Sequence, residues 1–194
     1  MISVTRRWCL AVLVTLVAIV PLGSTVWAQA QHVRWDIVSL TATGAHPGGV
    51  ASARANDNSK ITVTGSGTFV APGGGPGSNS STTGGGMWTA FNSSGTTIGS
   101  GTYEVTGLVR WDLAPGTFPG VDNIDDGTPS AGLAVLRVLY SDGDRGILVV
   151  SCHLAGTPNS VFEGITASKG FVDYWNREGP APGVDAGRTL FHVR

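Results

Sequence analysis

Glycines divide most of this chain into short runs of β-branched and aromatic residues, as in ITVTGSGTFV and TTIGSGTYEVTGLVRW. Runs of this kind predict β-strands, and glycine within them predicts bends, bulges or close contact between backbones. The chain contains 29 glycines, about twice the usual share of ~7%, and they follow no three-residue period. Because no long amphipathic helix interrupts the pattern, the sequence predicts an all-β fold with curved sheets.

We expect a single antiparallel barrel or sandwich of about eight to ten strands, with little or no helix after residue 30. SKGFVDYWN at 168–176 has aromatic residues at helical spacing, but its composition also suits a strand. APGGGPGSNSSTTGGG at 71–86 has the composition of a mobile loop. The predicted strands are 32–41, 49–55, 60–70, 86–92, 96–113, 131–141, 145–154, 160–167, 170–176 and 189–193.

Residues 1–30 have the pattern of a signal peptide. Arg6 and Arg7 precede the apolar run WCLAVLVTLVAIVPL, and VWA and AQA then offer small-residue cleavage sites. This run is shorter than the roughly 20 residues that cross a bilayer, which argues against a permanent anchor. We expect cleavage after Ala28 or Ala30, by general export rather than the twin-arginine route. The mature domain, 31–194, would then be secreted, periplasmic or at the cell surface, without a stable membrane span.

The composition of this domain excludes some partners. The chain has 12 basic and 13 acidic residues, so loss of the two signal arginines leaves a net charge of 10 − 13 = −3. With no basic run, nucleic acid and anionic membranes are poor candidates. Cys152 is the one cysteine outside the signal. It therefore cannot form an internal disulfide, and we expect a buried, unreactive thiol.

The clearest hairpin is LAVLRVLY-SDGD-RGILVVSCHL. Asp142-Gly143 predicts a two-residue type I′ turn, and this register places Arg137 on the face of Leu148 and Val150. Both faces of the hairpin are apolar, so both should be covered. The outer cover would be another layer, a loop or a second subunit, so a homo-oligomer through residues 131–154 is one prediction.

Two charges interrupt otherwise apolar strands, Arg137 in LAVLRVLY and Glu163 in VFEGI. A charge inside a sheet core needs a partner or a polar cavity. Arg137 would therefore pair with Glu163, Asp173 or Glu104, or anchor a ligand. With His153 as a further polar group beside an apolar strand, the candidate ligand-binding residues are Arg137, Glu163 and His153.

No pattern identifies a catalytic residue, a metal site or a cofactor. VVSCHL lacks the G-x-S-x-G turn that exposes a nucleophilic serine, and the four histidines lack metal-ligand spacing. The acidic loop VDNIDDG at 121–127 fails the calcium-loop pattern because Ile124 occupies a ligand position. We expect that loop to be a solvated acidic turn.

The tetrapeptide VRWD occurs at 33–36 and again at 109–112. The segments around the two copies do not repeat at the same offset of 76 residues, so the copies do not indicate a duplicated domain. We interpret them as two strands with the same pattern. In each, valine and tryptophan would point to one face, and arginine and aspartate to the other.

The stretch TGGGMWTAFNSSGTTIGSGTYEVTGLVRW, residues 83–111, resembles the glycine-punctuated strands of dirigent and allene-oxide-cyclase β-barrels. The resemblance implies a β-barrel and covers about 30 residues. The later half, with SDGD and FEGITASKGFVDYW, does not follow that pattern, so no catalytic residue is carried over. As a whole, the chain resembles exported bacterial all-β proteins of unassigned function.

We therefore expect an exported, non-catalytic β-domain with a structural, surface or small-ligand-holding role, the ligand being small and apolar. The alternative is a small barrel whose internal apolar cavity serves a cyclase, an isomerase or a lipocalin-like carrier. The aromatic residues would line a pocket or, more simply, form the core. They are Trp35, Trp88, Trp111, Phe171, Tyr174 and Trp175.

Overall fold

The computed structural model describes residues 30–72, 81–124, 126–178 and 187–194, and the predicted signal peptide lies outside them apart from Ala30. The described part contains thirteen strands in one antiparallel sheet. They are β1 (Gln31–Thr41), β2 (Gly44–Pro47), β3 (Ala51–Arg54), β4 (Lys60–Val63), β5 (Ser66–Ala71), β6 (Thr83–Phe91), β7 (Thr97–Ala114), β8 (Thr128–Tyr140), β9 (Arg145–Cys152), β10 (Gly164–Lys169), β11 (Val172–Tyr174), β12 (Asn176–Arg177) and β13 (Arg188–Val193).

Six of these strands close a barrel, in the order β1, β5, β6, β7, β8 and β13. The remaining strands extend the sheet: β9, β10 and β11 from β8, then β4, β3 and β12 from β6, and β2 from β1. The prediction of an antiparallel all-β fold is confirmed, and the barrel is the form it takes. The strand number exceeds eight to ten partly because Gly65, at φ +148°, divides the predicted strand 60–70 into β4 and β5.

Large side chains fill the barrel. Trp35, Phe69 and Phe191 are each at most 1% exposed. Trp111 packs edge-on between two of them, its ring centroid 5.4 Å from that of Phe69 and 4.7 Å from that of Phe191. Close packing of this kind stabilises the fold by removing apolar surface from water, at about 25 cal/mol per Å².

Part of the predicted glycine-rich loop is strand. Residues 73–80 lie outside the described residues, but Gly84, Gly85 and Gly86 belong to β6. A Cβ atom on Gly86 would lie 2.0 Å from the carbonyl oxygen of Thr64. These glycines therefore allow close contact between backbones rather than mobility.

The β8–β9 hairpin has a three-residue loop, one residue longer than predicted. The amide of Tyr140 donates to the carbonyl oxygen of Asp144, and that of Gly143 donates to the carbonyl oxygen of Tyr140. Gly143 has φ +95°, as in a type I turn followed by a left-handed residue. The extra residue shifts the pairing by one, so Arg137 lies opposite Ile147 rather than on the face of Leu148 and Val150. The predicted register is wrong for this reason.

The two VRWD copies form strands, as predicted, but differ in one position. In both, the arginine pairs with the aspartate two residues on. Val33 and Trp35 share the inner face of β1 and are buried. In β7, a bulge between Leu108 and Arg110 turns Val109 outwards, to 37% exposure. The expected shared face of valine and tryptophan therefore holds only in the first copy.

SKGFVDYWN forms strands rather than a helix. β10 ends at Lys169, Gly170 takes φ +57° in the turn, and β11 pairs back onto β10. Within the described ranges, the chain contains no helix with the length and apolar character needed to cross a bilayer.

Candidate functional site

An apolar cleft of about 270 Å³ lies on the outer face of the sheet, across β9 and β10. Its walls are mostly aliphatic and aromatic, with hydroxyl groups from β10. Pockets that bind small molecules are generally of this character, with few polar groups, and start at about 300 Å³. The lining residues are Ile147, Val149, Thr166, Ala167, Ser168 and Trp175.

Strand register places Trp175 at this cleft. Tyr174 pairs with Ala167, and both side chains are buried in the inner face. The next residue must then point outwards, beside Thr166. Trp175 lies directly after β11, the last strand on this side of the sheet, and its outward side chain is 71% exposed. Of the two alternatives for this tryptophan, pocket lining or core, the core is wrong. Phe171 does not belong to the core either, because it is fully exposed in the β10–β11 turn.

The two faces of the β8–β9 hairpin are both apolar, as predicted, but they are not equally covered. The inner face forms part of the barrel core, with Leu136, Val138 and Leu148 at most 2% exposed. On the outer face, Val135 pairs with Val149, and both are only half-buried. The described part of the chain therefore covers this outer face incompletely, and the cleft lies on it.

Arg137 lies beside the cleft and is exposed. It pairs in register with Ile147, a cleft residue. Among the described residues no carboxylate comes within 4.0 Å of it, so the predicted buried ion pair is wrong. The reason is that its strand faces solvent on this side, where a guanidinium keeps its hydration.

Glu163 and His153 lie close to each other, but away from the cleft beside Arg137. The Glu163 carboxylate accepts hydrogen bonds from the backbone amides of His153, at 2.6 Å, and Thr189, at 2.8 Å. The Nδ1 atom of His153 lies 2.8 Å from the carbonyl oxygen of Val161. Burial raises the pKa of Glu163, and the two amide hydrogen bonds oppose that rise. This arrangement ties the end of β9 to the start of β13.

The Glu163 carboxylate and its two amide donors are remote from Arg137. Along β9, His153 lies six residues beyond Ile147, which corresponds to about 20 Å. The structure therefore does not bring the three predicted ligand-binding residues into one site. Of the three, Arg137 adjoins the apolar cleft across β9 and β10.

A buried charge network lies on the outside of β1 and β13, and the sequence interpretation missed it. The Nε2 atom of His192 lies 2.9 Å from Asp122, and its Nδ1 atom lies 4.0 Å from Asp36. Asp36 accepts two hydrogen bonds from Arg34, at 2.8 and 2.9 Å, and Arg34 also reaches Asp126. The acidic loop is thus bound to the barrel rather than solvated, since Asp122 and Asp126 are only 16% and 14% exposed.

The described part of the chain assembles no metal centre, and neither Cys152 nor Ser151 is placed to act as a nucleophile. No group of three or more histidine, cysteine or acidic side chains there is arranged to hold a metal ion. Cys152 is fully buried, and burial raises the pKa of its thiol. The Ser151 hydroxyl, also buried, donates to the carbonyl oxygen of Phe162. Both side chains therefore serve packing and hydrogen bonding.

No family model, curated protein or solved structure matches this chain. The resemblance of residues 83–111 to dirigent and allene-oxide-cyclase barrels therefore stays a prediction.

Proposed function

We propose that this chain is an exported, non-catalytic β-barrel domain that holds a small, largely apolar ligand in the cleft on the outer face of β9 and β10. The observation that carries the proposal is the position of Trp175, which stands 71% exposed over an aliphatic floor. A tryptophan so placed offers a large apolar surface to a ligand. Export is supported by the signal pattern of residues 1–30.

The energetics of the cleft suit a weak or moderate binder of a small molecule. Covering about 60–100 Å² of apolar surface on Trp175, Ile147 and Val149 would contribute about 1.5–2.5 kcal/mol. Binding would also remove a similar apolar area of the ligand from water, and this burial would stabilise the complex by about the same free energy per unit area. The polar groups nearby, Thr166 and Ser168 within the cleft and Arg137 beside it, would orient a ligand.

A binding site on the outer face is better supported than an internal cavity. Trp35, Phe69 and Phe191 occupy the barrel interior, and Trp111 packs between two of them. A cyclase, isomerase or lipocalin-like carrier would need that space for its ligand. The absence of an assembled nucleophile among the described residues supports a role without catalysis.

The test is fluorescence titration of the mature domain with N-phenyl-1-naphthylamine, a neutral aromatic probe that brightens in apolar sites. We expect saturable binding, and Trp175→Ala should weaken it about tenfold, the equivalent of 1.4 kcal/mol. Phe171→Ala is the matched control, because that ring is even more exposed but does not line the cleft. Equal losses in both variants, or no saturable binding, would contradict the proposal.

A further inference from the structure

We infer that the ligand of this cleft is an anionic amphiphile, whose acidic group lies at Arg137 and Arg145 while its apolar body extends towards Trp175. The inference rests on the proposed function, because it names the ligand class for the same cleft. The charges of the residues around the rim of the cleft support the inference.

Two guanidinium groups are neighbours of Ile147 on the outer face of the sheet. Arg137 pairs in register with Ile147, and Arg145 precedes Ile147 by two residues, so it points to the same outer face. Both residues are exposed. No acidic group of the described residues lies within 4.0 Å of either.

Two neighbouring cations are already paired with carboxylates. Lys169 lies on the opposite face of β10, over the rings of Trp88 and Tyr140, and contacts the carboxylates of Asp142 and Asp144, each at 2.5 Å. Arg110, at the β7 edge of the outer face, pairs with Asp112. On this face, Arg137 and Arg145 are thus cations that no carboxylate of the described residues approaches within 4.0 Å, and charge-assisted hydrogen bonds from such groups to a carboxylate or sulfonate are strong.

The opposite rim carries negative charge, which gives the ligand a direction. Asp173 pairs in register with Ser168 and is exposed. The row from Arg137 through Ile147 and Ser168 to Asp173 crosses three strand spacings, about 14 Å. An acidic group would be repelled at the Asp173 rim and attracted at the Arg137 rim. The apolar body would then cover Ile147 and Val149 and reach Trp175.

The experiment compares two probes that share the same rings. 1-Anilinonaphthalene-8-sulfonate carries an acidic group, and N-phenyl-1-naphthylamine lacks it. We expect the full-length mature domain to bind the sulfonate about tenfold more tightly at low salt, with the preference shrinking as salt is added. Replacing both rim arginines, Arg137→Gln with Arg145→Gln, should abolish the preference without changing the affinity for the neutral probe.

Arg110→Gln is the matched control, because its guanidinium is exposed on the same face but paired, and it should leave both affinities unchanged. The melting midpoint of each variant should match that of the wild type. Binding of both probes with equal affinity would overturn the inference and leave the proposed function standing, whereas failure of both probes to bind would overturn both. A stable dimer that shields Trp175 from acrylamide quenching would place a second copy on this face and would also overturn the inference.

Discussion

Removal of the Glu163 carboxylate should cost stability and leave ligand binding intact. Glu163→Ala takes away the acceptor for two backbone amides, those of His153 and Thr189. A buried donor left without a partner costs about 1–3 kcal/mol. Because Glu163 is only half-buried, water can replace part of what is lost, and we expect a decrease of about 2–4 kcal/mol in the free energy of unfolding.

The pH dependence of this loss has a definite sign. Burial raises the pKa of Glu163 in the folded protein, while the unfolded chain keeps an ordinary value of about 4.3. A carboxyl shifted in this direction stabilises the fold most below its ordinary pKa, and that contribution is lost as the pH rises through the raised value. The difference in stability between the wild type and Glu163→Ala should therefore be larger at about pH 4 than at about pH 8.

Urea unfolding monitored by tryptophan fluorescence measures the loss of unfolding free energy in Glu163→Ala and the change of that loss with pH. Glu104→Gln serves as the control, because Glu104 is exposed on β7 and its replacement should change stability by no more than about 0.5 kcal/mol. The reasoning fails if Glu163→Ala is as stable as this control, or if its loss grows with pH. A variant that kept full stability but no longer bound the neutral probe would instead restore Glu163 as a ligand anchor.

Two further predictions concern the hairpin and the core. Gly143 has φ +95° and open space around its missing Cβ, so Gly143→Val should destabilise by about 1–2 kcal/mol through backbone strain alone; an unchanged urea midpoint would mean that the loop does not need this conformation. Cys152 is fully buried and burial raises the pKa of its thiol, so a disulfide reagent should label the native protein at least about 100-fold more slowly than the denatured protein. Equal labelling rates would show that the thiol is accessible.

Several features of the fold could be predicted because they depend on neighbours in the chain. Alternation with a period of two identifies strands, and it also places the arginine and aspartate of each VRWD on one face, where they pair. The glycine at the tip of the β8–β9 hairpin is likewise local, since only the turn conformation at Gly143 requires it. Burial of Cys152 followed from the apolar residues around it on its strand.

The candidate site depends on register and long-range contacts, which local sequence patterns do not determine. One extra residue in the hairpin loop put Arg137 opposite Ile147, because a shift of one position moves every side chain to the other face. The network of His192 and Asp122 needs two residues 70 positions apart, brought together only when β13 pairs with β1 and the acidic loop folds onto them. Aromatic character alone could not tell a core ring from a cleft wall. Trp175 is exposed because the pairing of β11 with β10 turns Tyr174 to the core and Trp175 to the outer face. Strand pairing is a long-range property, which the sequence of a single strand does not encode.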